Sequence, residues 1–247
     1  MDGKEVARLF RAIHGELCPI PRLLTGRCTL CRGPVQPVYS RCYPCNGFVS
    51  AIPRQLRDRV FPMTAAVNPS PWYGHLWRYK NGQPESRPVL SAVAFSWLDA
   101  QWVHLTESLG GAPTLMTLVP STRPNVTYKD QPLRLALSAM PTLPATLAQT
   151  LRHDAKTALA RGEYKPDAFV PHGADVVGER VILIEDSWAT GGRVLSAAGA
   201  LLDAGATAVA ITPIARIVDR EFWITPHPNL LYVQAIRAAY DLAKWPF

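Results

Sequence analysis

Two adjacent carboxylates stand directly after an apolar run in the last third of the chain. Residues 181–184 are Val-Ile-Leu-Ile, and Glu185 and Asp186 follow them. The run is typical of a buried strand, and ligands of open α/β sheets bind beyond the carboxyl ends of such strands. There the carboxylates can accept hydrogen bonds from the vicinal hydroxyls of a sugar. The alternative interpretation is an ordinary strand-to-helix turn in which Asp186 caps local amides.

The loop after the carboxylates has residue types that suit a phosphate group. Gly191 and Gly192 let the backbone approach an anion closely. A helix is expected to begin here, and its free N–H groups and dipole favour negative charge. Thr190 adds a hydroxyl donor. Together with the two carboxylates, this loop predicts a binding site for a sugar phosphate.

Four of the five cysteines form two Cys-x-x-Cys pairs that are separated by ten residues. The four are Cys28, Cys31, Cys42 and Cys45. Two such turns can direct four thiolates at one tetrahedral Zn²⁺ ion, and Gly33 and Pro44 suit the tight turns. A closed set of four thiolates leaves no position for a substrate. The spacing therefore predicts a structural zinc ribbon whose folding energy comes largely from the metal.

Other interpretations of the cysteines stay open. A disulfide needs an oxidising compartment, which nothing in the sequence indicates, and either Cys-x-x-Cys could be a redox pair. Cys18 lies outside the set and is expected to be a buried free thiol. His14 could in principle replace one ligand, but it lies on an expected helix and is predicted to be a surface residue.

The elements around these residues predict an α/β domain. The strand at 181–184, a helix with an apolar face ending near Gly205, and a strand at 208–212 stopped by Pro213 form a right-handed βαβ unit. Apolar residues at 114–119, which end at Pro120, predict another buried strand, and 169–170 predicts a short one. Helices are expected at 1–17, 55–60, 85–108 and 133–151, the last interrupted by Pro141 and Pro144.

Residues 181–193 resemble the signature for 5-phosphoribosyl-1-diphosphate (PRPP) of type I phosphoribosyltransferases. That signature has four apolar residues, two acids and a loop ending in Thr-Thr-Gly and small residues. The cysteine ribbon and residues 76–82, Leu-Trp-Arg-Tyr-Lys-Asn-Gly, resemble the ComF family of amidophosphoribosyltransferase-like proteins. Residues 118–120 and 161–169 resemble further segments of that family. The resemblance implies a type I phosphoribosyltransferase fold at 69–247, with a parallel sheet flanked by helices, behind a helix and zinc ribbon at 1–68.

The resemblance also implies the chemistry of an enzyme. A phosphoribosyl group would pass from PRPP, accompanied by Mg²⁺, to a nitrogen nucleophile with release of diphosphate. Glu185 and Asp186 would be catalytic and would hold the ribose. The residues implied for the 5′-phosphate are Ala189, Thr190, Gly191, Gly192 and Arg193. The candidates for the diphosphate are Ser121, Thr122, Arg123 and Lys80.

Some positions depart from the family pattern. Ser187, Ala189 and Arg193 replace the usual apolar, Thr and Thr/Ser residues, and Arg193 could either contact the phosphate or block the site. The Arg-Gly-Phe-Asn motif that ComF proteins usually carry after the Val-Pro strand is absent. PRPP binding is therefore better supported than turnover, and a non-catalytic PRPP-binding protein is the alternative. Trp188 and Trp223 are candidates for stacking on an acceptor base, with core packing favoured for Trp223.

The net charge of +7 is concentrated at the N-terminus. Residues 1–68 hold ten Lys or Arg against four Asp or Glu. This module could attract nucleic acid, as in an accessory protein of DNA uptake, a process to which the ComF family is linked. It could equally be an ordinary basic surface that helps solubility.

No apolar run reaches the roughly 18–20 residues that a membrane-spanning helix needs. Residues 1–17 lack the basic-then-apolar order of a signal peptide and form instead an expected amphipathic helix. The sequence therefore predicts a cytoplasmic protein without membrane contact. It does not encode the identity of the acceptor in a form that can be recognised.

Overall fold

The computed structural model describes residues 3–20, 25–123, 126–138, 145–227 and 229–239. The strands are β1 (Thr64–Asn68), β2 (Leu115–Leu118), β3 (Thr146–Leu147), β4 (Leu151–His153), β5 (Phe169–Pro171), β6 (Arg180–Trp188) and β7 (Ala208–Asp219). Five of them form a parallel sheet in the order β1-β7-β6-β2-β3. The other two, β4 and β5, form an antiparallel pair.

Helices cover both faces of the parallel sheet. They are α1 (Gly3–Ile13), α2 (Tyr43–Phe48), α3 (Arg54–Arg57), α4 (Pro71–Lys80), α5 (Arg87–Leu109), α6 (Pro132–Leu137), α7 (Gly192–Asp203) and α8 (Leu231–Ala239). The predicted α/β class is confirmed. Among the described residues, none of the helices combines the length and the apolar character that crossing a bilayer requires.

The side chains of β6 divide the hydrophobic core between the two faces of the sheet. Val181 and Leu183 pack on the face that α7 covers, whereas Ile182 and Ile184 pack on the face that α5 covers. All four are completely buried. A strand covered on both faces appears in the sequence as an uninterrupted apolar run. The prediction of a central strand at 181–184 is therefore confirmed.

Strand β7 continues through Pro213, so the prediction that this proline stops the strand was wrong. The backbone groups of Ile211 and Pro213 point toward the β1 side of the sheet. Ile211 N donates to Arg59 O at 2.8 Å, and Pro213 O accepts from Met63 N at 2.9 Å. The N–H that proline lacks would also point to that side. Pairing with β6 on the other side therefore continues as far as Arg216.

Two of the expected helices differ from the structure. The first ends at Ile13 and is followed by a 3-10 turn, His14–Glu16, although an α-helix was expected to residue 17. The helical prediction for 133–151 holds only for α6, because β3 and the start of β4 lie in the same segment. Residues 139–144, which include Pro141 and Pro144, lie outside the described residues. Periodicity alone does not separate short apolar strands from helix.

Strand β1 belongs to the central sheet, although it precedes the expected domain boundary. Its residues pair with β7 from Thr64 opposite Ala215 to Asn68 opposite Asp219. Helix α4 follows almost at once, and the Oγ of Ser70 accepts a hydrogen bond from Tyr73 N at 3.0 Å at its N-terminus. The division into 1–68 and 69–247 stays a prediction.

Candidate functional site

The order of the strands creates a crevice between β2 and β6. The chain leaves β2 toward β3 on one side through α6, whereas it leaves β6 toward β7 on the other side through α7. Such a reversal is the place where open α/β sheets bind ligands. Residues 121–123 follow β2, and Glu185 and Asp186 lie near the carboxyl end of β6. The structure thus brings together two segments that were predicted separately.

A cavity of about 210 Å³ lies at this crevice. Its walls include seven of the predicted site residues, three of them in the loop after β2. The seven are Lys80, Ser121, Thr122, Arg123, Glu185, Asp186 and Arg193. The acid pair and the expected diphosphate side therefore face one common space.

Asp186 is held by a lysine from the end of α4. Lys80 Nζ lies 2.9 Å from Asp186 Oδ1 and donates to Ser187 Oγ at 2.7 Å. The Ser187 hydroxyl in turn donates to Asp186 Oδ1 at 2.9 Å. Burial acts to raise the pKa of Asp186, but the charges of Lys80 and Arg193 outweigh it and lower the pKa below its usual value. Asp186 is therefore ionised at neutral pH.

Glu185 is held by the first turn of α7. Arg193 Nη2 donates to both carboxylate oxygens of Glu185 at 2.8 Å, and Arg193 Nε donates to Oε2 at 3.0 Å. Burial raises the pKa of Glu185 to about 7, with the neighbouring Asp186 charge adding to the rise and Arg193 opposing it. A proton-binding carboxylate and an ionised one thus stand side by side.

Gly191 and Gly192 are required by the packing of the protein itself. Gly191 has φ +91, and a Cβ there would overlap the indole ring of Trp188. A Cβ on Gly192 would overlap the carbonyl oxygen of Glu163. Helix α7 begins after Gly191 with no side-chain cap on its first N–H groups, an arrangement that attracts anions. The loop therefore combines two glycines that the surrounding packing requires with a helix start whose first N–H groups have no side-chain cap.

A second cavity, of about 460 Å³, lies on the other side of this loop. Thr190 and Arg193 contribute to its walls, and Arg161 and Gly162 lie opposite them. The segment at 155–162 was not predicted as part of the site. The one signal for it was the resemblance of residues 161–169 to the segment that precedes the signature strand in ComF proteins.

The loop after β2 makes few internal contacts. Arg123 is exposed; its Nη1 donates to the carbonyl of Lys80 at 3.2 Å, and its backbone N donates to Ser121 Oγ at 3.1 Å. Gln131 Nε2 donates to the carbonyl of Val119 at 2.7 Å and thereby supports the strand end. Thr122 is exposed as well. These side chains are available to an anionic ligand.

The four predicted metal ligands converge. The sulfurs of Cys28, Cys31, Cys42 and Cys45 all lie within 4.8 Å of one another, and all four residues are buried. Cys31 Sγ and Cys42 Sγ are 3.7 Å apart. A tetrahedral ion with metal–sulfur bonds of about 2.3 Å needs sulfurs about 3.8 Å apart, whereas a disulfide needs about 2.05 Å. The cluster is positioned to hold a metal ion, and no described cysteine is in a disulfide.

Arg216 connects this cluster to the sheet. Its side chain is buried, and its Nε donates to Cys31 Sγ at 3.3 Å. Burial acts to raise the pKa of Cys31, but hydrogen bonds from the other thiols and the charge of Arg216 lower it well below its usual value. Gly33 lies against the guanidinium, where a Cβ would approach its Nε to 2.6 Å. We call residues 25–48 the cysteine module.

The structure also shows where the other residues considered in the sequence analysis lie. Cys18 is a buried free thiol, and burial raises its pKa to about 12. His14 is exposed and is not part of the cysteine cluster. Trp188 is only 1% exposed and packs in the core, so the prediction that it stacks on a base was wrong. Trp223 is half-buried and packs beside Ile224.

Comparisons with known proteins give distant likenesses only. No family model and no curated protein matches the chain. Orotate phosphoribosyltransferase of Mycobacterium tuberculosis H37Rv, solved with PRPP, has a TM-score of 0.34 at 20% identity over 62% of this chain and 67% of that chain. A phosphoribosyltransferase of Corynebacterium diphtheriae has a TM-score of 0.33 at 19% identity over 54% of this chain and 78% of that chain. At these scores the likeness does not bear on function.

Proposed function

We propose that this protein binds PRPP and transfers its phosphoribosyl group to a nitrogen nucleophile with release of diphosphate. The observation that carries the proposal is the pair Glu185 and Asp186 at the crevice between β2 and β6, followed by the glycine loop and the uncapped start of α7. The resemblance of residues 181–193 to the PRPP signature supports it. Residues 1–68 and 69–247 are proposed as the two modules.

In this proposal each predicted residue has a place around the ligand. Asp186 and Glu185 accept hydrogen bonds from the ribose hydroxyls. The backbone of residues 189–193 binds the 5′-phosphate, and the exposed side chains of residues 121–123 bind the diphosphate. Arg193 and Lys80 hold the two carboxylates in the structure, and in this proposal they also contact the phosphate and the diphosphate of the ligand.

The reaction is a substitution at C1′ of the ribose. The lone pair of the nitrogen forms the N–C1′ bond, the C1′–O bond breaks, and its electrons leave with the diphosphate. The proton released from the nitrogen passes to solvent. Positive charge develops on the sugar ring, where ionised Asp186 stabilises it, and negative charge develops on the diphosphate, which Arg123 stabilises. The remaining lowering of the activation barrier comes from holding the two reactants in the correct relative position.

The residues present fit the expected Zn²⁺ ion better than they fit the expected Mg²⁺ ion. The buried cysteine cluster has the donor set and spacing of a structural Zn²⁺ site, and we propose zinc there. The expectation of Mg²⁺ fits the carboxylates less well, because Glu185 has both oxygens on Arg193 and Asp186 has one on Lys80. When bound, Mg²⁺ would neutralise diphosphate charge. We propose that it accompanies PRPP and is not held by the acid pair.

Isothermal titration with PRPP tests the proposal, and a PRPP-dependent diphosphate assay with a panel of nitrogen compounds completes the test. We expect saturable PRPP binding, competition by ribose 5-phosphate, and diphosphate release with at least one nitrogen compound. Absence of saturable PRPP binding would contradict the proposal.

A second candidate is a PRPP-binding protein without turnover. The bidentate pair of Arg193 with Glu185 favours it, because this pair occupies a carboxylate that catalysis needs. Saturable PRPP binding without diphosphate release from any acceptor would support this candidate.

A nucleic-acid role for the basic segment, residues 1–68, is a third candidate. Tyr43 on the cysteine module is 93% exposed, and Tyr39 is 61% exposed, and such aromatic side chains can stack on unpaired bases. Binding of an oligonucleotide that weakens steeply with salt concentration would support this role. Full-length variants are needed for the test, because deleting residues 1–68 would remove β1 from the sheet.

A further inference from the structure

A cavity of about 660 Å³ is lined by the cysteine module and by residues at the carboxyl ends of β6 and β7. We call it the module cleft and define it by six side chains from three parts of the chain. These are Tyr39, Arg41, Tyr43, Trp77, Phe222 and Trp223. The volume is that of a typical site for a small organic ligand. Neither the acid pair nor the loop after β2 lines it.

The module cleft adjoins the proposed ribose site on one side. Lys80 and Ser187, which contact Asp186, also line the cleft, and so do Ala189 and Thr190 of the glycine loop. Residues of β7 form a further part of its wall. The cleft and the ribose site are therefore two compartments that share Lys80 and Ser187.

The sheet places the module cleft and the diphosphate loop on opposite sides of the acid pair. The cleft lies toward β7, the loop at 121–123 follows β2, and β6 runs between β7 and β2. A ribose on Glu185 and Asp186 would therefore have its diphosphate on one side and the cleft on the other. Substitution at C1′ needs the entering and leaving atoms on opposite sides of the carbon.

The walls of the module cleft suit a flat ligand. Trp77 is 54% exposed and Phe222 is 65% exposed, although both are large aromatic side chains. Tyr39 and Tyr43 add two more aromatic rings. Exposed aromatic surface gathered around one cavity indicates a binding site, and aromatic rings favour stacked or edge-on contact with another ring.

The charges in the module cleft favour an anionic group on that ligand. Arg41 lines the cleft, and its Nε has no hydrogen-bond partner among the described residues. Lys80 and Arg161 also line the cleft, and guanidinium groups pair well with carboxylates. Asp219 is the one carboxylate among the residues that line the cleft, and its Oδ1 already accepts from Phe222 N at 2.8 Å.

We propose that the module cleft binds the acceptor, and that the acceptor is an aromatic nitrogen compound carrying a carboxylate. The proposal rests on the proposed phosphoribosyl transfer and names its second substrate by class. The ring packs between the aromatic walls, and the carboxylate contacts Arg41. The nitrogen lies at the end of the cleft that Lys80 and Ser187 share with the ribose site, where it faces C1′. The cysteine module is in this way part of the substrate site, although its metal takes no part in the chemistry.

Three small probes separate the features of the acceptor. 2-Aminobenzoate has the ring, the amine and the carboxylate, aniline lacks the carboxylate, and cyclohexanecarboxylate lacks the flat ring. Binding to the full-length, zinc-loaded protein is measured by titration with and without saturating PRPP. We expect 2-aminobenzoate to bind at least about tenfold more tightly than either of the others, as for one charged hydrogen bond.

Matched variants locate the carboxylate contact. Arg41→Gln is expected to weaken 2-aminobenzoate binding about tenfold or more and to leave aniline binding unchanged. Arg54→Gln, an exposed arginine of α3 that does not line the cleft, is the control and should change neither. Trp77→Ala should weaken both aromatic probes. Thermal unfolding of each variant verifies that it is folded.

Each outcome decides something different. If PRPP binds but 2-aminobenzoate and aniline bind equally, or neither binds, the acceptor assignment is overturned while the proposed function stands. If the probes follow the expected order but PRPP does not bind, the proposed function fails and the acceptor role fails with it. Displacement of 2-aminobenzoate by an unstructured thymidine oligonucleotide would make the cleft a nucleic-acid site and would also overturn the acceptor assignment.

Discussion

The guanidinium of Arg216 donates from Nε to the sulfur of Cys31 at 3.3 Å and from Nη1 to the backbone carbonyl of Trp188 at 3.2 Å. Cys31 belongs to the buried cysteine cluster, and Trp188 ends the strand that carries Glu185 and Asp186. One buried cation therefore joins the cysteine module to the carboxyl end of β6. Unfolding of the cysteine module should therefore disturb the end of β6, near Glu185 and Asp186.

Arg216→Lys tests that connection. A lysine is a single point donor and does not reproduce the planar fork of arginine, so at least one of the two contacts is lost. A buried charged hydrogen bond contributes about 1.5–3 kcal/mol, which lowers Tm by roughly 5–10 °C for a chain of this size. Calorimetry measures the shift, with exposed Arg54→Lys as the control. An unchanged Tm would show that the link carries no energy.

Removing a metal ligand should destabilise the whole chain. Cys45→Ser replaces one of four thiolates, and we expect bound zinc to fall from about one ion per chain to near zero, with Tm lowered by roughly 10 °C or more. Elemental analysis and calorimetry measure the two effects. Cys18→Ala removes a buried thiol outside the cluster and should keep the zinc. Wild-type zinc content and Tm in Cys45→Ser would exclude the metal site.

Asp186→Asn should strongly reduce turnover. The amide presents a donor where the carboxylate accepts, and it leaves Lys80 without its anion. We expect PRPP-dependent diphosphate release to fall by about 10²-fold or more, as for loss of one preorganised polar contact. Asp99→Asn, an exposed acid on α5, is the matched control. Unchanged kinetics in Asp186→Asn would remove this residue from the ribose role.

The raised pKa of Glu185 predicts a pH dependence of stability. Burial raises this pKa to about 7 from an ordinary value of 4.5, so the folded protein binds the proton more tightly than the unfolded chain. The stabilisation is complete below about pH 4.5 and is lost as the pH rises through about 7. Glu185→Gln has no such proton. The wild type should lose roughly 2–3 kcal/mol of unfolding free energy relative to this variant over that interval.

Urea titrations of both proteins at several pH values between 4 and 8 measure this difference. The comparison cancels the contribution of the histidines, because both proteins contain them. A difference in unfolding free energy that stays constant across the interval would contradict the raised pKa.

Gly191 and Gly82 form a matched pair for separating backbone strain from steric overlap. Their φ angles are +91 and +83, but a Cβ on Gly82 meets nothing within 4 Å, whereas one on Gly191 overlaps Trp188. Gly82→Ala should cost about 1–2 kcal/mol of strain. Gly191→Ala should cost roughly 1–3 kcal/mol more, and it should weaken PRPP binding. Equal losses in urea unfolding would show that the indole ring can move aside.

The sequence by itself determined the local elements that carry the chemistry. An uninterrupted apolar run marked β6 because both of its faces are covered, and the paired acids after it marked the ligand end of the sheet. The spacing of the cysteines predicted their convergence, because each Cys-x-x-Cys turn holds two sulfurs close together and only ten residues separate the two pairs. These patterns depend only on residues that are close together along the chain, so they can be recognised in the sequence before the tertiary structure is known.

Only the tertiary structure decided which groups surround those residues. Lys80 reaches Asp186 of β6 from the end of α4, Arg216 of β7 reaches Cys31 of the cysteine module, and the module cleft combines side chains from three distant segments. Pro213 was expected to end a strand, but its missing N–H points toward the β1 side, so the pairing of β7 with β6 is not interrupted. Such relationships follow from the order of the strands and the packing of the helices on them, and no local periodicity encodes that order.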